Sequence, residues 1–286
     1  MFRLVSRLAR TGLVMMTSLV LPVLVSAQTV YVTGGGNGNS GFEFGTINLA
    51  TGTYTNIATE RVNLSGLSFS STGTLYAMDI DGTKLYTVNT STGALTSVGS
   101  TGSTNGTSGI AFSPSGVLYQ VNNLIPVANS YLNRVNTSNA NLTRIGTDIG
   151  HRTSGSIAYQ NGVLYETNTS TGSDTLDTIN TTLGTSTAIG STGYSVIAGL
   201  TSVNGTLYGF DAGGDILTLN TTTGAGTVVK SYTLPAVAGA GLNTNNFIEA
   251  AAFQNAAVPE PTTLALLASL GLTGIGAIVR RKRRSA

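Results

Sequence analysis

Residues 66–98 read GLSFSSTGTLYAMDIDGTKLYTVNTSTGALTSV and contain four short apolar segments separated by polar, glycine-containing turns. Val, Ile, Tyr and Thr favour strands, whereas Gly, Asn and Asp supply the positive φ that tight hairpins require. The stretch therefore predicts four consecutive antiparallel strands joined by short turns.

The same order of segments recurs along the chain with a period of about 45 residues. An upstream strand is found at Gly66–Phe69, Gly109–Phe112, Ser156–Tyr159 and Gly199–Ser202. A Val-Tyr or Leu-Tyr pair follows in the next segment, with its tyrosine at Tyr31, Tyr76, Tyr119, Tyr165 and Tyr208. A third segment ends near an asparagine, which is Asn48, Asn89, Asn136, Asn180 or Asn220.

Four short strands in a repeat of about 45 residues indicate a β-propeller blade. The first repeat lacks its upstream strand, and Phe247–Phe253 is a strand-like segment without a partner. If the late segment completes the first blade, the ring closes without a free edge. The sequence thus predicts an all-β, five-bladed β-propeller with four-stranded blades over residues 28–257. A β-solenoid and an elongated sandwich are the alternatives. The repeat loosely resembles uncharacterised propeller-like domains of secreted bacterial proteins, a resemblance that implies no activity.

The N-terminal segment has the pattern of an export signal. Arg3, Arg7 and Arg10 precede an apolar run that ends in Val25-Ser26-Ala27. A basic start, a short apolar core and small residues at the cleavage point are typical of a secretory signal peptide. We expect residues 1–27 to be a signal peptide handled by the Sec export machinery; an uncleaved N-terminal anchor is the alternative.

The C-terminal segment has the pattern of a membrane anchor. Residues 262–279 are uncharged and apolar, which is about the length that crosses a bilayer as a helix. A basic cluster follows, and we interpret it as a cytoplasmic stop rather than a nucleic-acid patch. The cluster consists of Arg280, Arg281, Lys282, Arg283 and Arg284.

Immediately before this apolar run stand Val258, Pro259, Glu260 and Pro261. Two prolines that flank a glutamate hold the backbone extended, as a processing enzyme requires of its substrate. The order Val-Pro-Glu-Pro, apolar helix and arginine-rich end closely resembles the PEP-CTERM sorting signal, over about thirty residues. The resemblance implies recognition by an exosortase, export, membrane anchoring followed by processing, and association with exopolysaccharide and the extracellular matrix.

Charge and composition exclude several functions for the middle of the chain. Residues 28–257 carry six basic and eleven acidic side chains, a net charge of −5, so no footprint for a nucleic-acid backbone is present. Without cysteine, disulfides and thiol nucleophiles are excluded.

The glycine-rich residues 34–41 lack the Lys-Ser/Thr of a phosphate loop and predict a hairpin loop. We expect the repeated tyrosines to pack in the core rather than to form a sugar platform.

The candidate ligand face combines the turns between second and third strands with the connections between blades, which share one end of a propeller. Aspartates in these turns are expected to cap them through their own side chains; half a calcium site is the alternative reading. His151 could serve a Ser-His-Asp triad with Asp148, but we expect a hydrogen-bonded loop histidine. The candidate residues are Asp79, Asp81, His151, Arg152, Asp211 and Asp215.

These observations predict a non-enzymatic surface or matrix protein whose propeller binds a polysaccharide or another surface protein. No catalytic residue, metal or cofactor is assigned. A secreted hydrolase or lyase acting on matrix polysaccharide is the rival hypothesis, because eleven acids leave room for a carboxylate pair. A scaffold without a ligand is the third.

Overall fold

The computed structural model describes residues 28–34, 42–103, 105–123, 130–146, 148–169, 172–235 and 247–254. The predicted signal peptide at residues 1–27 lies outside these ranges. So does the predicted anchor at 258–286 with its helix at 262–279. Within the described ranges, no helix is long and apolar enough to span a bilayer.

The described chain forms twenty strands, which occur in chain order as five successive groups. The first group is β1 (Thr29–Gly34), β2 (Phe42–Asn48) and β3 (Tyr54–Glu60). The second is β4 (Leu64–Phe69), β5 (Leu75–Asp79), β6 (Lys84–Val88) and β7 (Leu95–Ser100). The third is β8 (Gly106–Phe112), β9 (Leu118–Asn123), β10 (Ser130–Val135) and β11 (Leu142–Ile145). The fourth is β12 (Thr153–Gln160), β13 (Val163–Asn168), β14 (Thr175–Ile179) and β15 (Ser186–Ser191). The fifth is β16 (Ile197–Val203), β17 (Thr206–Asp211), β18 (Asp215–Leu219) and β19 (Gly226–Ser231), and β20 (Ile248–Ala252) follows it.

These strands form five antiparallel four-stranded sheets, one for each predicted blade. The last strand, β20, pairs with β1 and becomes the innermost strand of the first blade, in the order β20-β1-β2-β3. The innermost strands β4, β8, β12, β16 and β20 contact one another in a closed cycle. The predicted five-bladed propeller is therefore confirmed, including its closure by the late strand.

An asparagine lies at the end of each third strand or directly after it, and its side chain closes the hairpin that leads to the fourth strand. The side-chain oxygen of Asn89 accepts the backbone N–H groups of Ser91 and Thr92 at 3.0 and 3.1 Å. The turn ends at Gly93, whose φ of 76° is unfavourable for residues with a Cβ. In the third blade Ala140 takes this place with a φ of 66°. This shared turn explains why Asn and Gly recur at the same point of the repeat.

Small residues at the centre let the innermost strands approach closely. A Cβ added to Gly109 on β8 would stand 2.7 Å from both the Cα of Ser156 and the backbone nitrogen of Ile157 on β12. A Cβ on Gly66 would meet Ile110 in the same way. Gly109 and Gly66 therefore cannot carry a side chain unless the neighbouring strand shifts, because its backbone occupies the space of the Cβ.

Apolar side chains fill the spaces between neighbouring blades. Val121 of the third blade and Leu164 of the fourth share one cluster, and Met78 of the second blade packs with Ile110 of the third. The repeated tyrosines extend this packing, since the rings of Tyr76 and Phe112 stand 5.4 Å apart, edge to face.

The two ends of the ring carry different kinds of connection. We call one the connection face: it carries the turns between second and third strands and the links between blades, including residues 61–63, 80–83, 101–103, 148–152, 192–196 and 212–214. The opposite hairpin face carries the remaining turns. Strand β20 runs from the connection face to the hairpin face. Gln254 consequently lies beside Gly73 in a hairpin-face turn.

Candidate functional site

The predicted site residues all lie at the connection face, but in three separate blades. Asp79 and Asp81 belong to the turn after β5, His151 and Arg152 to the link before β12, and the Asp211–Asp215 pair to the turn after β17. Among the described residues, one group of three or more potential metal ligands lies close together. It consists of His151, Glu166 and Asp177, so it contains one predicted residue.

Asp79 closes its own turn. One carboxylate oxygen accepts the backbone N–H groups of Thr83 and Lys84 at 2.7 and 3.1 Å, and the other accepts the Thr83 hydroxyl at 2.6 Å. Asp81 stands exposed in the same turn. Because donors of the turn already occupy both Asp79 oxygens, this carboxylate holds the hairpin and is poorly placed to take a calcium ion.

Asp211 holds the corresponding turn of the fifth blade. Its Oδ1 accepts the backbone N–H of Asp215 at 2.8 Å, and Asp215 in turn accepts the Ser231 hydroxyl at 2.7 Å. Burial raises the pKa of Asp211 above its ordinary value, and the nearby charge of Asp215 adds to the rise. The two acids therefore belong to one turn and do not converge with acids of another blade.

The cluster around His151 lies between the third and fourth blades. Glu166 on β13 and Asp177 on β14 are cross-strand partners. Side chains alternate along a strand, so Glu166 points to the same side as Leu164, which packs against the third blade. His151 approaches this pair from the link, with its Nε2 2.9 Å from Oε1 of Glu166 and 3.5 Å from Oδ2 of Asp177. The two carboxylates are 0% and 2% exposed, and the imidazole is 22% exposed.

Hydrogen bonds around this cluster are incomplete. The amide of Asn168 donates to Oδ2 of Asp177 at 2.7 Å, and Nδ1 of His151 lies 3.5 Å from the Ser186 hydroxyl. Oε2 of Glu166 and Oδ1 of Asp177 are buried and have no hydrogen-bond partner. Two buried carboxylates thus keep one oxygen each available to a further ligand.

Burial dominates the electrostatics of the cluster. It raises the pKa of Glu166 and of Asp177, while hydrogen bonds from His151 and Asn168 oppose the rise. For His151, burial lowers the pKa, but the hydrogen bond and charge of Glu166 and the charge of Asp177 outweigh it and raise the pKa overall. All three groups therefore bind protons more tightly than they would in water.

The alternative triad of His151 with Asp148 is not formed. Oδ1 of Asp148 accepts the backbone N–H of Gly150 at 2.8 Å, and the carboxylate bonded to the imidazole is that of Glu166. The Ser186 hydroxyl, which lies 3.5 Å from Nδ1 of His151, donates to the carbonyl of Ile149 at 3.2 Å. His151 is thus hydrogen-bonded to a carboxylate of the fourth blade.

A second feature of the connection face is a groove of about 510 Å³ between the second and third blades. Tyr131 on β10 and Arg144 on β11 form its outer wall, and the guanidinium carbon of Arg144 lies 3.4 Å from the centre of the Tyr131 ring. The ring holds such a stacked guanidinium in place, and the N–H groups point outward in the guanidinium plane, where they can donate to a ligand.

Apart from the apolar Leu142, the remaining lining of this groove is uncharged and mostly polar. Asn122 accepts the backbone N–H of Tyr131 at 2.7 Å, and Asn133 donates to Gln120 at 2.8 Å. The link from the second blade adds hydroxyl and amide groups. This part of the lining consists of Thr101, Gly102, Ser103 and Asn105.

Sequence reasoning missed Glu166, Asp177 and the groove, although the repeat contained a signal for them. The residue after each repeated tyrosine is Val32, Ala77, Gln120, Glu166 or Gly209. Its cross-strand partner is Gly45, Tyr86, Asn133, Asp177 or Leu217. Only the third and fourth blades place two polar residues at these positions. Aligning the repeats and asking which blades break the apolar rule would have singled out these two polar pairs.

Comparison with known proteins identifies the C-terminal segment. Residues 257–284 match the family model of the PEP-CTERM protein-sorting motif. The chain carries a PEP-CTERM motif. The sorting signal predicted from Val258–Pro261 and the basic end is thereby confirmed. The motif implies exosortase recognition, export and membrane anchoring through the C-terminal region.

Solved structures resemble the propeller at low identity. TolB from Acinetobacter baumannii is 13% identical with a TM-score of 0.48, and the match covers 72% of this chain and 54% of that one. A gluconolactonase, XC5397 from Xanthomonas campestris, is 11% identical with a TM-score of 0.48, over 74% and 78% of the two chains. A protein of unknown function from Bacteroides caccae is 14% identical with a TM-score of 0.42, over 71% and 72%. This chain therefore spans about half the length of TolB. No curated protein matches the chain in sequence.

Proposed function

We propose that this chain is an exported, non-enzymatic component of the cell surface or extracellular matrix that binds an acidic polysaccharide in the groove between the second and third blades. The PEP-CTERM motif supports the location. The stacked pair of Arg144 and Tyr131 carries the assignment of the ligand.

The chemistry of the groove favours a carboxylate-bearing sugar. Arg144 stacks on Tyr131, and among the described residues no carboxylate forms an ion pair with it. A guanidinium recognises carboxylates through paired N–H donors, which makes uronic acid residues a fitting partner. Asparagine amides and hydroxyl groups along the groove are suited to sugar hydroxyls. None of the described residues that line the groove is acidic.

The four acids described above are hydrogen-bonded or buried, which favours a binding protein over an enzyme. Asp79 and Asp211 accept hydrogen bonds from their own turns, and Glu166 and Asp177 are almost fully buried between blades. A hydrolase would need two carboxylates that face a shared, open substrate site. The rival hydrolase or lyase would therefore have to work without a carboxylate in the groove.

Binding to defined polymers tests the proposal. The full chain, purified in mild detergent, is titrated with polygalacturonate and with the neutral polymer dextran. We expect saturable binding of polygalacturonate that is at least ten times weaker in Arg144→Gln and in Tyr131→Leu. Arg134→Gln is the matched control, because Arg134 is exposed on the same strand but on its other side. An equal loss of affinity in Arg134→Gln, or equally strong binding of dextran, would refute the proposal that the groove binds acidic polysaccharide.

The same samples distinguish the rival. Release of new reducing ends, or of unsaturated sugar ends, on incubation with the polymer would identify a hydrolase or lyase. Association with a protein of the envelope in place of polysaccharide would appear as a flat titration with every polymer. In either case the groove proposal fails, while the sorting motif stands.

Export and processing are tested separately. The chain with Pro259→Ala and Pro261→Ala is compared with the parent in cells that possess an exosortase. We expect the parent to reach the surface with a reduced mass and the double variant to keep its full mass in the membrane fraction. Equal processing of both would disprove recognition through these prolines.

A further inference from the structure

The buried cluster between the third and fourth blades has the composition and spacing of a cation site. We propose that His151, Glu166 and Asp177 bind one divalent transition-metal cation, with Zn²⁺ as the best-suited ion. This site is independent of the polysaccharide groove, which lies on the other side of the third blade.

The donor atoms have suitable separations. Nε2 of His151 lies 2.9 Å from Oε1 of Glu166 and 3.5 Å from Oδ2 of Asp177, and one donor atom from each residue lies within 4.8 Å of the others. Two ligand atoms that are each about 2.1 Å from a zinc ion stand about 3.4 Å apart at a tetrahedral angle. Small rotations of the three side chains therefore suffice to enclose an ion.

Unsatisfied oxygens inside the cluster point independently to a ligand. Oε2 of Glu166 and Oδ1 of Asp177 have no hydrogen-bond partner although their side chains are 0% and 2% exposed. A buried, unpartnered carboxylate oxygen is costly, and a buried carboxylate is normally paired or bound to a metal. One imidazolium balances only one of the two carboxylates, whereas a divalent cation balances both.

The surrounding contacts resemble the outer shell of a metal site. Asn168 donates to Asp177 at 2.7 Å and so orients that carboxylate, and the Ser186 hydroxyl lies 3.5 Å from the other ring nitrogen of His151. Such outer contacts fix the orientation of metal ligands. The imidazole is 22% exposed at the connection face, which leaves a path by which an ion can enter.

The donor set also selects the ion. Calcium prefers six to eight oxygen ligands, and this site offers an imidazole nitrogen with two carboxylates. Imidazole with carboxylates suits zinc and its first-row neighbours. We therefore expect zinc to bind and calcium to compete poorly.

The third blade supplies a matched control. At the same cross-strand position it carries Gln120 opposite Asn133, which are bonded to each other through their side chains at 2.8 Å. The double variant Glu166→Gln with Asp177→Asn places this neutral pair in the fourth blade. It removes the two anionic ligands in a way that the fold already accommodates elsewhere.

The test is a zinc titration of the full chain, purified in mild detergent with a tag that lacks histidine and freed of metals with chelator. We expect one equivalent of Zn²⁺ to bind and to raise Tm. His151→Ala and the double amide variant should each weaken binding at least ten-fold, and Asp215→Asn should leave it within two-fold. Because His151 is the single histidine of the chain, one imidazole signal reports on it in nitrogen NMR. That signal should shift on zinc addition.

Several results would overturn the site. They are the absence of zinc uptake by the parent chain, equal affinity in His151→Ala, an unshifted imidazole signal in the zinc-bound chain, and binding of calcium in preference to zinc. If His151→Ala does not fold, the double amide variant, which keeps the histidine, decides the question. Unchanged zinc affinity in that variant would refute the role of the two carboxylates.

Discussion

Val32 on β1 and Ala251 on β20 are cross-strand partners, and both are buried in the apolar cluster that joins the fifth blade to the first. One comes from the beginning of the described chain and the other from its end. Their pairing makes the first blade depend on a strand that is synthesised after the other nineteen described strands, so the ring is complete only when β20 has been added.

A charge at this closure should open the ring. We expect Ala251→Asp to lower the free energy of unfolding by at least about 3 kcal/mol, because the carboxylate is buried without a partner. The measurement is urea unfolding combined with limited proteolysis. Gln254→Asp places the same charge just after the strand at an exposed position and should change stability by less than about 0.5 kcal/mol. Equal effects of the two would contradict the observed closure.

Close packing at the axis gives a second prediction. Gly109→Ala should cost at least about 2 kcal/mol, since the new Cβ would lie 2.7 Å from backbone atoms of β12 that cannot move independently. The control is Gly116→Ala in an open turn, where φ is 83° and no atom lies within 4 Å. There the cost should be about 1 kcal/mol, from the backbone conformation alone. A smaller cost at Gly109 than at Gly116 would argue against the tight axis.

Glu249 on the closing strand should make stability depend on pH. Burial raises its pKa from an ordinary value of 4.5 to about 7, against an opposing hydrogen bond with Asn63. In the unfolded chain the proton is lost near the ordinary value, so this side chain destabilises the fold progressively as the pH rises from about 4.5 to about 7. Below this window both states hold the proton, and the effect disappears.

Replacement of Glu249 isolates this contribution. Glu249→Gln should raise the free energy of unfolding by about 1–3 kcal/mol at pH 8 and change it little at pH 4. Urea unfolding of parent and variant at pH 4, 6 and 8 provides the comparison. A gain that is the same at all three values would show that the carboxyl does not titrate in this window.

The two acids of the turn after β5 should differ in their effect on stability. Asp79→Ala removes three hydrogen bonds to Thr83 and Lys84 and should cost about 1–2 kcal/mol. Asp81→Ala alters an exposed side chain of the same turn and should cost less than about 0.5 kcal/mol. Thermal unfolding of the two variants is sufficient to compare them. Equal losses would mean that Asp81 also holds the turn.

The fold could be predicted from the sequence because each blade repeats the same local rules. The asparagine and glycine of the turn around Asn89 and Gly93 encode one hairpin, and the Leu-Tyr pairs mark the strand beside it. Closure could be predicted for a related reason. The first repeat lacks the strand that should precede Val30, and the segment Phe247–Phe253 at the end of the repeats has no partner. These are patterns of spacing, which a sequence displays directly.

The sites could be predicted only in part, because they depend on contacts between blades. The sequence singled out His151, but its partners Glu166 and Asp177 lie on two strands of the next blade, and the repeat that marks these two positions as polar does not connect them to the histidine. Arg144 gains its role only because β10 and β11 pair and bring it over Tyr131. The aspartates that stood out in the sequence close turns through short-range hydrogen bonds.

The direction of β20 determines how the protein meets its surroundings. The strand ends at the hairpin face, where Gln254 lies beside Gly73, and the PEP-CTERM motif begins three residues later at residue 257. The predicted membrane segment begins at residue 262, eight residues after Gln254, and eight residues span at most about 29 Å when fully extended. The hairpin face is therefore the end of the ring from which the C-terminal segment leaves, and the groove and the histidine cluster lie at the opposite end. A force applied to the C-terminal segment acts first on β20, because this strand is the described element that precedes the segment. Such a force would pull β20 away from β1 and open the ring.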